Sequence, residues 1–502
     1  GIILEQRRFA DVTALRDSTI AVLHRGRFEE LLMRHPVALN RVFAQAVYHQ
    51  LRHTPQRPEH RRAHAFVVVP LHSDISALTV ADGLTLALAG YGRAFRVDAK
   101  SNEKYQLDEL EAEFDFLIYQ ADLKDSEWTR RAFRQADQVI YVAAVGDSPD
   151  LCEIEPRLGA EPGFSMKRQH FALLHSANAK SPGDLASWRE GRQIERVYPL
   201  RDGRPEDFSR FARFLTGQAV GLVLGGGGAR GFAHLGVLRA LAESHIPVDV
   251  IGGNSMGALI GAQYACGLGL DEIREQTMRF ALGGERPTLP VISLLSGRRL
   301  ERDLRKMFGD QRIEQLWSPF FAAACNLSQA CTTVQESGLL WRAVLASNSP
   351  AGLLPPVLRD GDLLVDGAIL DNVPVGAMRS RLGTPFEQRR GNGKIIAIDV
   401  DVREELGVDP ALARLSVRKT IRSYFSASAE SSPGIGNILY RAGHIGGLHQ
   451  RGRTMAMADH YLEPPVAGFP LMGYRRATEI AEVGYRYAME EIGRWSNSES
   501  PL

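Results

Sequence analysis

The feature that most restricts how this chain can fold is a run of four glycines, Gly225–Gly228, between an apolar strand and an apolar helix. The strand reads VGLVLG from Val220, and the helix follows in GARGFAHLGVLRALAE. A strand, a glycine-rich turn and a helix together open a parallel α/β unit. Gly226, Gly228 and Gly231 also satisfy G-x-G-x-x-G, which equally describes a dinucleotide-binding turn. The segment therefore predicts an α/β fold and leaves two kinds of ligand open.

The next strand separates these two alternatives. A dinucleotide-binding fold needs an acidic residue after that strand to hold the ribose, whereas here Asp249 lies inside the strand VDVI. The strand runs instead into G-x-S-x-G, from Gly253 to Gly257, followed by the apolar helix ALIGAQYACGL. The sequence therefore predicts Ser255 as a nucleophile on a strained strand-to-helix turn. Gly253 and Gly257 remove side chains that would collide there.

A serine nucleophile needs donors for the oxyanion and a base for its proton. Arg230 is expected to add a supporting cation, and Gly231 to pack helix against strand. The segment GDLLVDGAILDNVPV predicts a strand ending at Asp366, with Gly367 holding the carboxylate at a turn, although a lone Asp-Gly pair is usually only a turn. The predicted oxyanion donors are the backbone amides of Gly225, Gly226, Gly227 and Gly228.

Four motifs occur in order along the chain: GGGGARGFAHLGVL, GGNSMGALIGA, ASNSPAGLLPPV and DGAILDNVPV. Together they resemble the patatin-like phospholipase family, and within it the neuropathy target esterase type of lysophospholipase. The resemblance implies a three-layer α/β/α hydrolase domain and a catalytic dyad of Ser255 and Asp366, with oxyanion donors around Gly226–Gly228. It also implies an esterase that acts on lysophospholipids or phospholipids through an acyl-enzyme, with no metal or organic cofactor.

Histidine is not expected to take part in catalysis. A triad of the α/β-hydrolase type would place a histidine after the acid, where His444, His449 and His460 occur. However, RAGHIGGLHQRGR is rich in glycine and arginine and is predicted to be a loop with no strand before it. His234, on the helix after the glycine run, is expected to pack against the sheet.

Residues 65–205 are predicted to form a second α/β domain with a mostly parallel sheet, because AFVVVPL, FDFLIYQ and DQVIYVAAV read as buried strands separated by helices. The domain looks like a nucleotide-binding ATPase fold. The loop after its first strand, LHSDISALT, lacks the glycines and lysine of a phosphate cradle. We therefore expect a structural or regulatory role, with Asp122 and Asp137 as helix caps or surface residues.

The remaining domains are assigned from local patterns. Residues 1–52 resemble the closing part of a cyclic-nucleotide-binding domain, with Arg8 near the position of its phosphate-binding arginine. The acidic partner and most of the barrel are missing, so cyclic nucleotide binding is not expected. Residues 53–64 are a basic linker, expected to be solvated rather than bound to lipid headgroups. The catalytic domain is predicted at 218–405 and a helical extension at 406–502.

Composition limits the partners and the setting. Sixty basic and 59 acidic residues leave a net charge of +1, which argues against a nucleic-acid partner. Four cysteines without a C-x-x-C pair indicate neither a disulfide framework nor a zinc site. No apolar run is long enough to span a bilayer. We expect a cytoplasmic protein, peripheral at a membrane where it meets lipid substrate, although a start at Gly1 leaves an upstream anchor open.

Two segments are expected near the substrate. SGRRLERDLRKMFGD places Leu300, Leu304 and Phe308 on one helical face opposite its basic residues. That pattern fits an interfacial helix or lid beside the acyl site, and equally an ordinary surface helix. ASNSPAGLLPPV is expected to be an apolar loop in which Leu353 and Leu354 line the acyl channel.

Two rival functions use the same fold. One is a regulatory or scaffold protein that keeps an idle hydrolase domain, in line with the degenerate upstream domains. The other is an acyltransferase, which passes the acyl group to an acceptor other than water and which sequence cannot separate from a hydrolase.

Overall fold

The structure, a computed structural model, describes residues 22, 24–34, 64–161, 163–382, 393–402 and 435–497. The chain divides into two compact units, Gly1–Ala179 with Ser187–Ala212, and Lys180–Ala186 with Arg213–Leu502. In these described ranges no helix combines the length and the apolar character that crossing a membrane requires. The cyclic-nucleotide-binding resemblance and the 53–64 linker fall almost wholly outside the described residues, apart from a helix, α1, at Arg25–Arg34.

Six strands of the first unit, among its described residues, form a parallel sheet in the order β2-β3-β1-β4-β5-β6. The predicted mostly parallel sheet is therefore present. Its strands are β1 His64–Pro70, β2 Ala94–Val97, β3 Phe116–Gln120, β4 Gln138–Ala144, β5 Arg168–His175 and β6 Val197–Arg201. Its helices are α2 Asp74–Leu88, α3 Ala99–Lys104, α4 Leu107–Glu113, α5 Glu127–Gln135 and α6 Ile154–Gly159.

The turn after β1 is occupied by the protein's own polar groups. Ser73 Oγ accepts from the amide of Ile75 at the start of α2, and the Asp74 carboxylate accepts from the amide of Leu123. An acidic side chain at this helix N-terminus disfavours a phosphate in the same place. Asp122 accepts from the Ser126 hydroxyl, which is a local structural contact.

The described part of the second unit contains an eight-stranded sheet in the order β11-β12-β9-β8-β7-β13-β14, with β10 paired to β9. Its strands are β7 Val220–Leu224, β8 Val250–Gly253, β9 Phe320–Asn326, β10 Cys331–Gln335, β11 Val357–Arg359, β12 Asp362–Asp366, β13 Lys394–Ile398 and β14 His460–Leu462. The helix α7 Pro205–Leu215 contains the boundary between the units. The later helices are α8 Ala233–Glu243, α9 Met256–Ala265, α10 Leu270–Leu282, α11 Arg298–Phe308, α12 Leu340–Ser347, α13 Val375–Leu382, α14 Ile435–Met457 and α15 Ala477–Asn497.

Helices cover both faces of this second sheet. Leu222 of β7 belongs to the apolar cluster that includes Leu259 of α9. The neighbouring Gly221 faces the other way, and a Cβ built on it would lie 2.5 Å from the sulfur of Met378 in α13. Because side chains alternate along a strand, α9 and α13 lie on opposite faces. The α/β/α layering that the resemblance implied is confirmed.

The C-terminal region is more than a helical extension. Residues His460–Leu462 form β14, which pairs with β13 at the edge of the second unit's sheet. The segment RAGHIGGLHQRGR, predicted to be a loop, lies inside helix α14. The loop prediction was wrong because glycines and charged residues that disfavour an isolated helix are tolerated where tertiary packing fixes it. A Cβ on Gly446 would lie 2.1 Å from the carbonyl oxygen of Ile369. The strand β14 depends instead on its pairing with β13.

Candidate active site

Ser255 lies between β8 and α9 with φ 51° and ψ −122°, a conformation that is strained for any residue with a side chain. The strain is held by close backbone packing. A Cβ on Gly253 or on Gly257 would lie 2.4 or 2.2 Å from the carbonyl oxygen of Leu224, so neither position accepts a larger residue. The turn therefore has the sharp geometry that the G-x-S-x-G pattern predicts.

Asp366 is the last residue of β12 and is only 5% exposed. Strands β12 and β8 both pair with β9: Asp366 lies opposite Ala324, and Gly253 lies opposite Ala322. Ser255 follows Gly253 by two residues, so the register brings it level with Ala324 and therefore with Asp366. The serine and the aspartate thus lie at the same end of the sheet.

Asn254 links these two residues through its side chain. Its Nδ2 donates to Asp366 Oδ1 at 3.1 Å. Its Oδ1 accepts from the Gly367 amide at 3.0 Å and from the Ser347 hydroxyl at 3.1 Å. Ser347 Oγ in turn accepts from the Ser255 amide at 2.9 Å. One buried amide side chain therefore ties the nucleophile turn to the turn that carries the carboxylate.

Asn372 ties the glycine run to the same network. Its Oδ1 accepts from the Gly226 amide at 3.1 Å, and its Nδ2 donates to the Gly226 carbonyl at 3.1 Å. Asn254 Nδ2 also approaches Asn372 Oδ1 at 3.3 Å. A Cβ on Gly226 would lie 3.0 Å from Ser255 Cβ, so the loop packs directly against the serine.

The four glycine amides are not equivalent. The Gly225 amide donates to the Ile398 carbonyl at 2.9 Å, and the Gly226 amide donates to Asn372. For the amides of Gly227 and Gly228, no partner is recorded within the described ranges. Of the four predicted oxyanion donors, these are the two without a recorded protein partner among the described residues.

The supporting residues have structural contacts. Arg230 is buried, and its Nε donates to the carbonyl of Phe469 at 2.8 Å. A Cβ on Gly231 would lie 2.4 Å from Cγ of Met256, in agreement with a packing role. The Gly367 amide donates to Asn254 Oδ1, and a Cβ on Gly367 would lie 2.6 Å from the same oxygen, so the position has no space for a side chain.

His234 is fully buried and is hydrogen-bonded to the first glycine of the glycine run. Its Nε2 lies 2.8 Å from the Gly225 carbonyl oxygen, so this nitrogen carries the proton and donates. Burial lowers the pKa of the imidazole to about 4, an effect that the hydrogen bond to Gly225 only partly offsets. His234 is therefore neutral near pH 7 and acts as a structural anchor. Of the histidines that follow Asp366 in the chain, His460 stacks on the ring of Trp495.

A family model described as patatin-like phospholipase matches residues 222–379, which contain the glycine run, Ser255 and Asp366. The chain carries a patatin-like phospholipase domain. A second model, the neuropathy target esterase family P-loop like domain, matches residues 91–199 in the first unit. The combination confirms the family resemblance drawn from the four motifs.

Three relatives illustrate the similarity. Patatin-like phospholipase domain-containing protein 6 of Homo sapiens is 28% identical over 98% of this chain and 40% of its own length. Patatin-like phospholipase domain-containing protein 7 of Rattus norvegicus is 32% identical over 76% of the chain and 30% of its own length. Lysophospholipase NTE1 of Yarrowia lipolytica is 28% identical over 96% of this chain and 40% of its own length. The chain thus spans less than half the length of each of these relatives.

Among solved structures, VipD from Legionella pneumophila matches with a TM-score of 0.30 and 13% identity, over 55% of this chain and 67% of that one. So low a score supports no argument about the patatin-like domain. Within the described residues, no group of three or more His, Cys, Asp or Glu side chains is placed to hold a metal ion.

The residues that sequence reasoning missed are Asn254, Ser347 and Asn372, which connect the predicted site residues. Each lies inside one of the four motifs, in GGNSMG, ASNSPAG and DGAILDNVPV. Polar residues beside a predicted nucleophile or acid were the available signal. Their partners could not be read from spacing, since Asn254 and Asp366 are 112 positions apart.

Replacing Asn372 with alanine is expected to lower kcat about 100-fold and to change KM little. The variant loses both hydrogen bonds that hold Gly226. A small misplacement of a catalytic group lowers the rate about 100-fold. Steady-state kinetics with a lysophospholipid measures the change. Asn326→Ala is the matched control: it removes a buried asparagine on β9 that holds Asp362. Equal losses of kcat in both variants would contradict a positioning role.

The buried neutral His234 should make the patatin-like domain less stable in acid. The unfolded chain takes up a proton at this residue below about pH 6.5, whereas the folded chain does so only near pH 4. The stabilisation is therefore complete above pH 6.5 and is lost as the pH falls toward 4, by on the order of 3 kcal/mol. Urea unfolding of wild type and His234→Gln across this range should show a shallower pH dependence in the variant. An identical pH dependence of the unfolding free energy in wild type and variant would refute this prediction.

Proposed function

We propose that this chain hydrolyses fatty acyl esters of lysophospholipids or phospholipids, with Ser255 as nucleophile and Asp366 as general base. The observation that carries the proposal is the hydrogen-bonded path from the Ser255 turn through Asn254 to Asp366. Asn372 connects this path to the glycine run at Gly226. The patatin-like phospholipase domain and relatives named lysophospholipase support a lipid ester as the substrate.

The proposed reaction proceeds in two halves. Ser255 Oγ attacks the acyl carbonyl carbon while its proton passes to the Asp366 carboxylate, and the carbonyl oxygen becomes an oxyanion between the amides of Gly227 and Gly228. The ester C–O bond then breaks, and the departing alcohol takes the proton from Asp366. In the second half, water attacks the acyl carbonyl carbon as Asp366 accepts its proton. The bond from that carbon to Ser255 Oγ then breaks, Asp366 returns the proton to Ser255 Oγ, and the fatty acid is released.

A carboxylate is a weaker base than histidine, so the proposal depends on alignment more than on basicity. The strained turn and the Asn254 bridge fix where the serine and the aspartate lie before substrate arrives. Ser255 also stands at the N-terminus of α9, where the helix dipole favours the negative charge that develops. Gly225 and Gly226 act in this scheme as anchors of the loop, not as donors to the oxyanion.

A groove of about 510 Å³ between α11 and α12 is the proposed site for the acyl chain. Its apolar wall includes Leu300, Trp341, Leu345 and Leu354. The groove also reaches Ser349, whose carbonyl accepts from the Asp366 amide at 2.9 Å, so one of its lining residues is bonded to the backbone of Asp366. In α11, Leu304 and Phe308 are buried in the core, whereas Leu300, Glu301 and Arg305 line the groove.

The test combines covalent labelling with product analysis. Purified chain is treated with a fluorophosphonate probe, which should attach to Ser255, and is separately given lysophosphatidylcholine or diacyl phosphatidylcholine, with mass spectrometry of the products. Free fatty acid supports hydrolysis. A chain that neither labels nor releases fatty acid is an idle scaffold, and a new ester formed with an added alcohol, in preference to fatty acid, indicates acyl transfer.

A further inference from the structure

Residues Arg286–Ser296 form a narrow hairpin between α10 and α11. The Ser296 amide donates to the Arg286 carbonyl at 2.9 Å, and the Thr288 amide donates to the Leu294 carbonyl at 3.0 Å. We call Leu289–Ile292 the hairpin tip. Three residues of the tip, Leu289, Val291 and Ile292, are 81%, 86% and 71% exposed. Three large apolar side chains exposed together at one turn are costly in water and indicate a surface that is covered when the protein works.

The base of the hairpin is attached to the wall of the active site. The amides of Leu294 and Leu295 donate to the carbonyls of Gly352 and Leu353 at 3.0 and 2.9 Å. The same stretch of chain, residues 347–354, carries the Ser347 hydroxyl that holds the Ser255 amide. The tip therefore projects from a rigid base that is continuous with the catalytic residues.

Basic side chains flank the base of the hairpin and continue along α11. Arg286 and Arg298 flank it, and Arg302 and Lys306 follow Arg298 at intervals of four along α11, which places them on one helical face. All four are exposed, and no ion pair is recorded for any of them in the described part of the chain. The nearby Glu285 is engaged with Ser296 and Leu300.

The other acids of α11 are paired with different arginines. Glu301 binds Arg305, and Asp303 binds Arg299. Within the described ranges, the four cations at the hairpin base and along α11 therefore have no recorded acidic partner. An exposed apolar tip together with such cations matches the boundary between acyl chains and anionic headgroups in a bilayer. A second copy of this chain placed symmetrically on the tip would instead bring the two sets of cations together.

We propose that the hairpin tip, Leu289–Ile292, inserts into the surface of a phospholipid bilayer, while Arg286, Arg298, Arg302 and Lys306 bind anionic headgroups. This inference rests on the proposed lipid-ester hydrolysis for its purpose, since it brings the acyl groove to the surface where such substrates lie. Binding to the bilayer itself does not require turnover.

The experiment uses the full chain in a Ser255→Ala background, so that the vesicles are not consumed. Co-sedimentation is measured with phosphatidylcholine vesicles with and without phosphatidylserine. The tip variant carries Leu289→Ser, Val291→Ser and Ile292→Ser. The matched control replaces the same three residue types at exposed positions of the first unit: Leu86→Ser, Val145→Ser and Ile75→Ser.

The tip variant is expected to partition about 30-fold more weakly into phosphatidylserine-containing vesicles, because three apolar side chains no longer leave water, and the control should stay within about twofold of the parent. Removing phosphatidylserine should weaken binding of the parent by on the order of several hundred-fold, at about fivefold for each of the four cations. Failure of the parent to bind, or equal binding by parent and tip variant, would overturn the proposal. So would a dimer that the tip variant converts to a monomer, since the tip would then be a self-association surface.

The corresponding chains with Ser255 intact separate this proposal from the proposed function. Hydrolysis of a dissolved short-chain ester should be unchanged in the tip variant, whereas release of fatty acid from vesicles should fall about 30-fold, in step with the loss of binding. Absence of ester hydrolysis in wild type would contradict the proposed function, while the vesicle binding of the Ser255→Ala chains would still decide the docking proposal.

Discussion

Replacing Ser255 with alanine should lower kcat/KM for lysophospholipid hydrolysis by roughly 10⁴-fold or more, because no other group in the site can form the acyl-enzyme. In the proposed mechanism the Ser255 hydroxyl is the reacting group, and its neighbours Asn254 and Ser347 hold the turn without offering a second exposed hydroxyl. Fatty acid release measured at several substrate concentrations gives kcat/KM for the wild type and for the variant. Fluorophosphonate labelling of the variant should be absent.

A glycine at the same position provides the control for folding. Ser255 has φ 51° and ψ −122°, which glycine adopts without strain, so Ser255→Gly should raise the free energy of unfolding by about 1 kcal/mol while remaining inactive. An inactive variant that is more stable than wild type excludes misfolding as the cause of lost activity. Retention of near wild-type turnover in either variant would remove Ser255 from the mechanism.

Replacing Asp366 with asparagine should lower kcat about 10³-fold and slow fluorophosphonate labelling to a similar degree. Proton acceptance is lost, and base removal costs on that order. Asparagine keeps a side-chain oxygen that can accept from Asn254 and from the Ala368 amide, as Asp366 Oδ1 does at 3.1 and 3.0 Å. The fold should therefore survive, and rapid-mixing kinetics should show slow acylation. A fast acylation burst would show that Asp366 is not the base for the first step.

The same chemical change on the turn before β12 is the matched control. Asp360 is 89% exposed on its side chain and has φ 52°, a conformation that asparagine tolerates well. Asp360→Asn should leave kcat and thermal stability near wild type. An equal loss of activity in both variants would trace the effect to the strand and not to the carboxylate of Asp366.

Local sequence patterns predicted the fold correctly where apolar spacing dominates. The strands VVV in β1 and IYV in β4 are buried on both faces, so an unbroken apolar run was enough to identify them. Local patterns failed for β14, whose three residues gain their strand identity only from pairing with β13. They failed also for α14, a helix rich in glycine whose packing against the turn after Asp366 lies outside any local signal.

By itself, the sequence determined the nucleophile turn and the glycine run, because both are built from neighbouring residues whose conformations follow from missing side chains and flanking apolar segments. Only the tertiary structure decided that the amides of Gly225 and Gly226 are paired within the protein and how the Ser255 turn is joined to Asp366. Those outcomes depend on hydrogen bonds between residues more than a hundred positions apart, among them the bonds from Asn254 to Asp366 and from Gly226 to Asn372. Partners of that kind are chosen by the packing of strands and turns, on which the spacing of residues along a chain carries no information.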